Sequence, residues 1–357
     1  MNDDELGRLL GDAFDQQART VVGDHATPPP PRFATGHGEL HPTNSWRRRW
    51  WAPVVAAAAV VAAVGIGAEL SGGGRQPVAG VAPSPTHSPL SAYQAPAGAA
   101  AVRTTVTLRP TSAVGVGLPV VVALSRPITD GRAWQAATRV TVDGRPLPAA
   151  WYFERTGPAA AMTAHLRPQS YWPAHASIRV EVAAAGLSAG RGLAFADDVQ
   201  VAFRTAAARV AVVDGDTHRL TLAEDGRRIG IFPVSLGADR TPTTQGVKVV
   251  MAKADHVCLT GPNYHVCNVR YTQRLTAAGE YLVSSPWSVW AIGQMNISSG
   301  STDLRPADAQ QLYRLLAVGD VLDYRNCQGP MTTAGQGYGD WNVPWAAWRT
   351  GGLVPTS

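Results

Sequence analysis

The chain has 357 residues, a formal net charge of +5, 45% hydrophobic residues and only 16% charged ones. That length holds two domains with flanking segments, and the 36 glycines and 27 prolines put much of the chain in loops, turns and linkers. No basic run follows residue 49, so no nucleic-acid footprint is present and no nucleic-acid partner is expected, while the mild positive charge suits an anionic surface.

Residues 3–22 carry a helical period, with Leu6, Leu9, Leu10, Ala13, Phe14, Ala18 and Val21 on one face. A lone helix of this length is marginal in water. It either docks on a cytoplasmic protein or the membrane surface, or is a frayed tail. Residues 23–45 are Pro-rich. Trp50 to Ala68 is a run of 19 residues without a charge, about 28 Å long as a helix and close to the hydrocarbon thickness. Arg47, Arg48 and Arg49 precede it directly. The positive-inside rule then puts residues 1–49 in the cytoplasm and the remainder outside. The expectation is a single-pass span over 50–69, with a cleaved signal peptide as the alternative. Residues 70–101, rich in Gly, Pro, Ser and Ala, are expected to be a linker.

Residues 102–206 read as short strands bounded by turn residues: 102–108, 140–142, 177–182 and 199–204. Their spacing predicts a sandwich, and no cysteine is present to bridge it. Residues 207–328 also read as β, with strands at 210–213, 219–222 and 229–234. A helix is predicted over 306–316, with Pro306 at its start. Residues 329–357 form a Trp-rich final segment.

Two H-x-C units, His256-Val-Cys258 and His265-Val-Cys267, flank Thr260-Gly-Pro-Asn263. Two strands joined at Pro262-Asn263 place Cys258 opposite Cys267, each with its His on the same face. Outside the cytoplasm such a pair oxidises, and a disulfide is the reading adopted, with no metal and no other cofactor. A Cys2His2 zinc site and two free thiols are the alternatives.

Gln294-Met-Asn-Ile-Ser-Ser-Gly-Ser-Thr-Asp-Leu304 resembles the active-site signature of the L,D-transpeptidases, roughly Q-G-x-x-N-x-S-H-G-C-x-N-L. Gly237–Gly246 resembles that family's G-x-x-x-T-P-T-P-x-G segment, and Gly279–Ser288 its G-x-x-x-H-x-A-P-W-S segment. Gly339–Trp348 is similar to the Trp-rich segment after the catalytic domain of actinobacterial members. Ser125–Asp130 and Tyr171–Ala174 are similar to their immunoglobulin-like domain. The resemblance covers about residues 103–353. It implies a mainly β fold: an immunoglobulin-like β-sandwich, then an L,D-transpeptidase-like β domain with a short helix.

The family joins peptidoglycan stem peptides through a cysteine thiolate paired with histidine. Here Ser301 stands at the cysteine position, Ser299 at the motif histidine and Val283 at the upstream histidine, while Gly300 is kept. A hydroxyl without a base is a poor nucleophile, and a positioned base alone contributes about 10²- to 10⁴-fold. Cys258, Cys267 and Cys327 all lie outside the signature. The expectation is a membrane-anchored, catalytically degenerate homologue that faces the cell wall and binds peptidoglycan stem peptides or a wall-synthesis partner. The alternative is an active transpeptidase with Ser301 as nucleophile. Tyr281, Trp287, Asn296 and Ser298 stand at motif positions and are the candidate substrate-binding residues. The resemblance also implies that the region around 258–267 is a lid over the groove.

Overall fold

The computed structural model describes residues 90–107, 110, 112–156, 161–261 and 264–357. The 3–22 helix, the 50–69 span, residues 70–89 and the Pro262-Asn263 turn lie outside them. Among the described residues no helix is long and apolar enough to cross a membrane.

Strands β1 (Ala100–Val102), β2 (Thr104–Val106) and β3 (Val120–Leu124) precede a short helix, α1 (Arg132–Ala136). β4 (Thr138–Val142), β5 (Arg145–Pro146), β6 (Ala149–Thr156), β7 (Ala161–Pro168), β8 (Ser177–Val182), β9 (Ser188–Gly190), β10 (Leu193–Phe195) and β11 (Val199–Arg204) follow. Their sheets run β2-β3-β7-β6, β11-β8-β4-β5 and β1-β10-β9. In β11, Val199, Val201 and Phe203 are buried while Gln200, Ala202 and Arg204 are exposed. This is the period of two required where one sheet face meets a core. Trp134, Trp151 and Trp172 fill that core. Two of their indoles are satisfied inside it, Trp151 Nε1 donating to Thr138 Oγ1 and Trp172 Nε1 to Leu118 O. Three buried tryptophans thus sit in a sandwich that has no cysteine to staple it.

The sandwich begins earlier than residue 102. Leu90 and Tyr93 pack on its core, and β1 pairs in parallel with β10. Residues 90–101, expected to be linker from their composition, are therefore part of the fold. β1 joins through backbone pairing, which its alanines, Ala100 and Ala101, leave unmarked in the sequence.

The second half contains β12 (Arg209–Asp214), β13 (Arg219–Glu224), β14 (Arg227–Pro233), β15 (Gly246–Val249), β16 (Ala252–Gly261), β17 (Tyr264–Arg274), β18 (Tyr281–Ser284) and β19 (Thr302–Leu304). Helix α2 (Pro306–Leu315), β20 (Val321–Arg325) and helix α3 (Trp345–Trp348) complete the chain. One sheet runs β14-β13-β12-β20-β15 and the other β16-β17-β18-β19. Helix α2 starts at Pro306, carries Asp308 in its first turn and Arg314 in its last, and so suits its own dipole. It buries Ala309 and Leu312 in a core shared with Leu220, Leu222, Leu282, Leu304 and Leu322.

The two halves meet at backbone distance. Gly115 N–H donates to Val318 O, and Gly117 N–H to Gly319 O. A Cβ at 115 would lie 2.0 Å from the Asp320 nitrogen, so only glycine fits. Residues 329–357 then bind both halves. Asn342 accepts from Val247 N–H, Trp341 Nε1 donates to Gly117 O, and Trp348 Nε1 donates to Ala150 O. The Arg167 guanidinium lies over the rings of Trp341, Trp345 and Trp348.

Candidate functional site

The signature loop runs between the Pro286–Ser288 turn and β19. Its shape is set by small hydroxyl residues. Ser298 Oγ accepts from Gly300 N–H and donates to Ser301 O. Thr243 Oγ1 accepts from Gly237 N–H and donates to Gly300 O, and Thr241 Oγ1 donates to Ser298 O. The Thr241-Pro-Thr243 segment therefore clamps the loop from outside. Gly300 has φ +107°, a left-handed conformation that favours glycine.

Strands β18 and β19 run parallel, with Leu282 opposite Thr302 and Val283 opposite Asp303. Tyr281 N–H donates to Ser301 Oγ at 3.2 Å. Positions 283 and 301 are thus on adjacent strands and two residues apart, about 8 Å between Cα atoms from strand spacing and rise. A long polar side chain at 283 could reach 301. Val283 is buried and supplies none. Ser299 is exposed. Among the described residues, no imidazole, amine or carboxylate is hydrogen-bonded to Ser301 Oγ. His218 places its Nδ1 3.0 Å from Asn296 Oδ1 in the signature loop.

Asp303 stands where the resemblance puts asparagine. It is buried, which raises its carboxyl above the usual range, and hydrogen bonds from Ser288 and Ser285 oppose that rise. Ser288 Oγ donates to Asp303 Oδ2 at 2.8 Å, tying the Pro286–Ser288 turn to β19. Beneath the loop, Lys248 is fully buried. Its Nζ is 2.5 Å from Glu280 Oε2 and 3.8 Å from the Tyr324 ring centroid. Tyr324 Oη in turn meets Thr302 Oγ1 at 2.6 Å. Burial lowers the lysine's pKa and Glu280 opposes the shift. This amine is engaged by a carboxylate and a ring.

The candidate binding residues separate in space. Trp287, 53% exposed, walls a cleft of about 440 Å³ with Tyr271, Arg270, Asn268, Ser284 and Gln310. Ser284 is opposite Leu304, so the cleft lies three residues, about 10 Å, along the strands from Ser301. Ser301, Tyr281, Asn296 and Ser298 do not line it. Asn296 accepts from Leu236 N–H and donates to Gly215 O, so its amide anchors the loop to the fold. A larger cavity of about 710 Å³ lies on the sandwich, lined by Asp143, Ser177, Arg179, Phe203 and Arg204 among others and by no signature residue. Sequence reading missed Tyr271, Arg270, Asn268 and Gln310 as cleft residues. The Gln310 amide donates to Tyr271 Oη across the gap between α2 and β17, a contact with no local signal.

Cys258 and Cys267 are joined by a disulfide near the far end of the β16–β17 hairpin. Cys327 is free and half-buried, and burial pushes its thiol up to about 11 against the pull of Lys248. It is a poor substitute nucleophile.

A family model for the L,D-transpeptidase catalytic domain matches residues 208–323, and one for a bacterial Ig domain matches residues 85–188. L,D-transpeptidase 2 of Mycobacterium tuberculosis is 30% identical over 247 residues, 67% of this chain. The chain belongs to the L,D-transpeptidase family. L,D-transpeptidase 5 of the same organism is 29% identical over 68% of this chain. The chain spans 59% and 54%, respectively, of the lengths of these two curated relatives. The solved L,D-transpeptidase LdtMt1 in complex with imipenem superposes with a TM-score of 0.51 at 27% identity, covering 62% of this chain and 97% of that one. As an L,D-transpeptidase homologue with an Ig-like domain, the chain has the mainly β architecture expected from its sequence.

Proposed function

We propose that this L,D-transpeptidase homologue does not catalyse transpeptidation, and that it binds peptidoglycan stem peptides at the cell wall through the Trp287 cleft. One observation carries the reading. Ser301 Oγ receives a backbone N–H and has no base, while Val283 fills the place from which a histidine would reach it. A nucleophile without a proton acceptor loses the activation that acyl transfer requires. A cleft about 10 Å along the strands has an exposed Trp and the polar groups of Asn268, Arg270, Ser284 and Gln310. Aromatic walls with a few converging polar groups are the usual make-up of a ligand site. A membrane anchor at 50–69, with residues 1–49 cytoplasmic and the folded part outside, belongs to the same proposal. It is supported by the Arg47–Arg49 run before an uncharged segment.

The test is mass spectrometry of tetrapeptide stems incubated with the protein, an active relative working alongside. No released D-alanine and no cross-linked dimer is the expected result. Either product, abolished by Ser301→Ala, would overturn the proposal and make Ser301 the nucleophile. Co-sedimentation with sacculi, weakened by Trp287→Ala, tests the binding half.

A further inference from the structure

The β16–β17 hairpin carries a second cluster that the peptidoglycan reading does not use. Cys258, His265 and Cys267 are all exposed, and their ligand atoms lie within 4.8 Å of one another. His265 Nε2 is 3.2 Å from Cys267 Sγ, and its Nδ1 is 2.8 Å from Thr260 Oγ1. In the tautomer that donates Nδ1–H to Thr260, the Nε2 lone pair faces the sulfur. A metal-binding histidine is oriented by an acceptor on its far nitrogen, and Thr260 Oγ1 is placed to be that acceptor. In a tetrahedral zinc site the sulfur–sulfur edge is about 3.8 Å, so three donors this close match one ion without moving the strands far.

We propose that the Cys258–Cys267 disulfide is a redox-controlled cover on a soft-metal site. Once reduced, Cys258, Cys267 and His265 take one zinc-class ion, with the fourth position open to water. The reductant is a dithiol. It breaks the Cys258–Cys267 bond, closes to its own disulfide, and leaves its two protons on the freed thiols. Metal uptake then forms two sulfur–metal bonds and one nitrogen–metal bond and releases those two protons to solvent. No further electron transfer is involved. Exposure of both sulfurs gives the dithiol access. Two thiolates and an imidazole select zinc or copper(I) over magnesium or calcium. Cys267 adjoins Asn268, which lines the Trp287 cleft.

The experiment uses the full-length Cys327→Ser protein, reduced with a phosphine and then titrated with Co²⁺ and Zn²⁺. Expected are one equivalent of Co²⁺ per chain with a sulfur-to-cobalt charge-transfer band, displacement by Zn²⁺, and no band from the oxidised protein. His265→Ala should weaken affinity by about tenfold or more. Cys258→Ser/Cys267→Ser should abolish the band. Reduced protein that stays folded by circular dichroism yet takes up no metal overturns the proposal. So does a chain that unfolds on reduction, or a band that survives in the double serine variant.

Discussion

Ser301 is defined by its surroundings as much as by its own oxygen. Its side chain accepts from Tyr281 N–H, and the positions that could supply a base hold Val283 and Ser299. Ser301→Ala should therefore leave sacculus binding unchanged and cost no more than about 1 kcal/mol, the usual worth of one neutral hydrogen bond. Binding isotherms and urea unfolding of the two proteins check this. Glu280 is different. It accepts from Lys248 Nζ, Thr244 N–H and Thr244 Oγ1 below the signature. Glu280→Gln leaves a fully buried ammonium without its counter-charge, and should destabilise the fold by about 3–5 kcal/mol. A urea midpoint close to wild type would show that water or the Tyr324 ring carries the lysine instead.

The β16–β17 hairpin shows how far an element can be read from its chain. Symmetry of the two H-x-C units about residues 262–263 places the cysteines in register, and the disulfide closes a separation of 9 residues. A bulge between Val257 and Leu259 shifts the pairing just where the first cysteine stands, which period-two reading does not foresee. In the loop-entropy account the bridge contributes roughly 2.5–3 kcal/mol. Cys258→Ser/Cys267→Ser should raise amide exchange over residues 252–274 and leave the sandwich amides unaffected. The signature loop was less legible as an element. Its motif residues are consecutive in the chain, yet Asn296 and Ser298 turned out to hold the loop, while Trp287 alone of the candidates reached the cleft.

At the scale of the whole molecule, the C-terminal segment ties the two halves together. Trp348 is fully buried, stacks on Tyr152, and donates to Ala150 O. Trp348→Ala should cost about 3–5 kcal/mol, read as a fall in the thermal midpoint. The same junction buries His165 between Glu154 and Asp340, with Nδ1 3.1 Å from Asp340 Oδ1 and Nε2 3.2 Å from Glu154 Oε1. Burial lowers His165, but Asp340 and Glu154 outweigh it and hold the imidazole up to about 9. Burial, aided by Asp340 and opposed by His165, raises Glu154 to about 7. Both groups bind protons more tightly folded than unfolded. Their stabilisation is complete at low pH and is lost as pH rises, through about 7 for Glu154 and about 9 for His165. The contribution of this pair to the thermal midpoint should fall between about pH 4.5 and 9, and His165→Gln should flatten the part of that slope above about pH 6.5.

The sequence by itself determined the class of this protein. Alternating strands at 177–182 and 199–204 and the helix at 306–315 follow from local period and capping, which need no knowledge of neighbours. The ordered motifs pointed to the family, and the signature itself shows Ser301 at the cysteine position. Only the tertiary structure decided where the cleft lies and that residues 90–101 belong to the sandwich. It alone also brought Arg167 over Trp348 and His165 onto Asp340, the latter across 175 positions. Those contacts are made by backbone pairing and by buried charges far apart in the chain. Neither leaves a periodic trace, because each partner satisfies the other only once the two halves have packed.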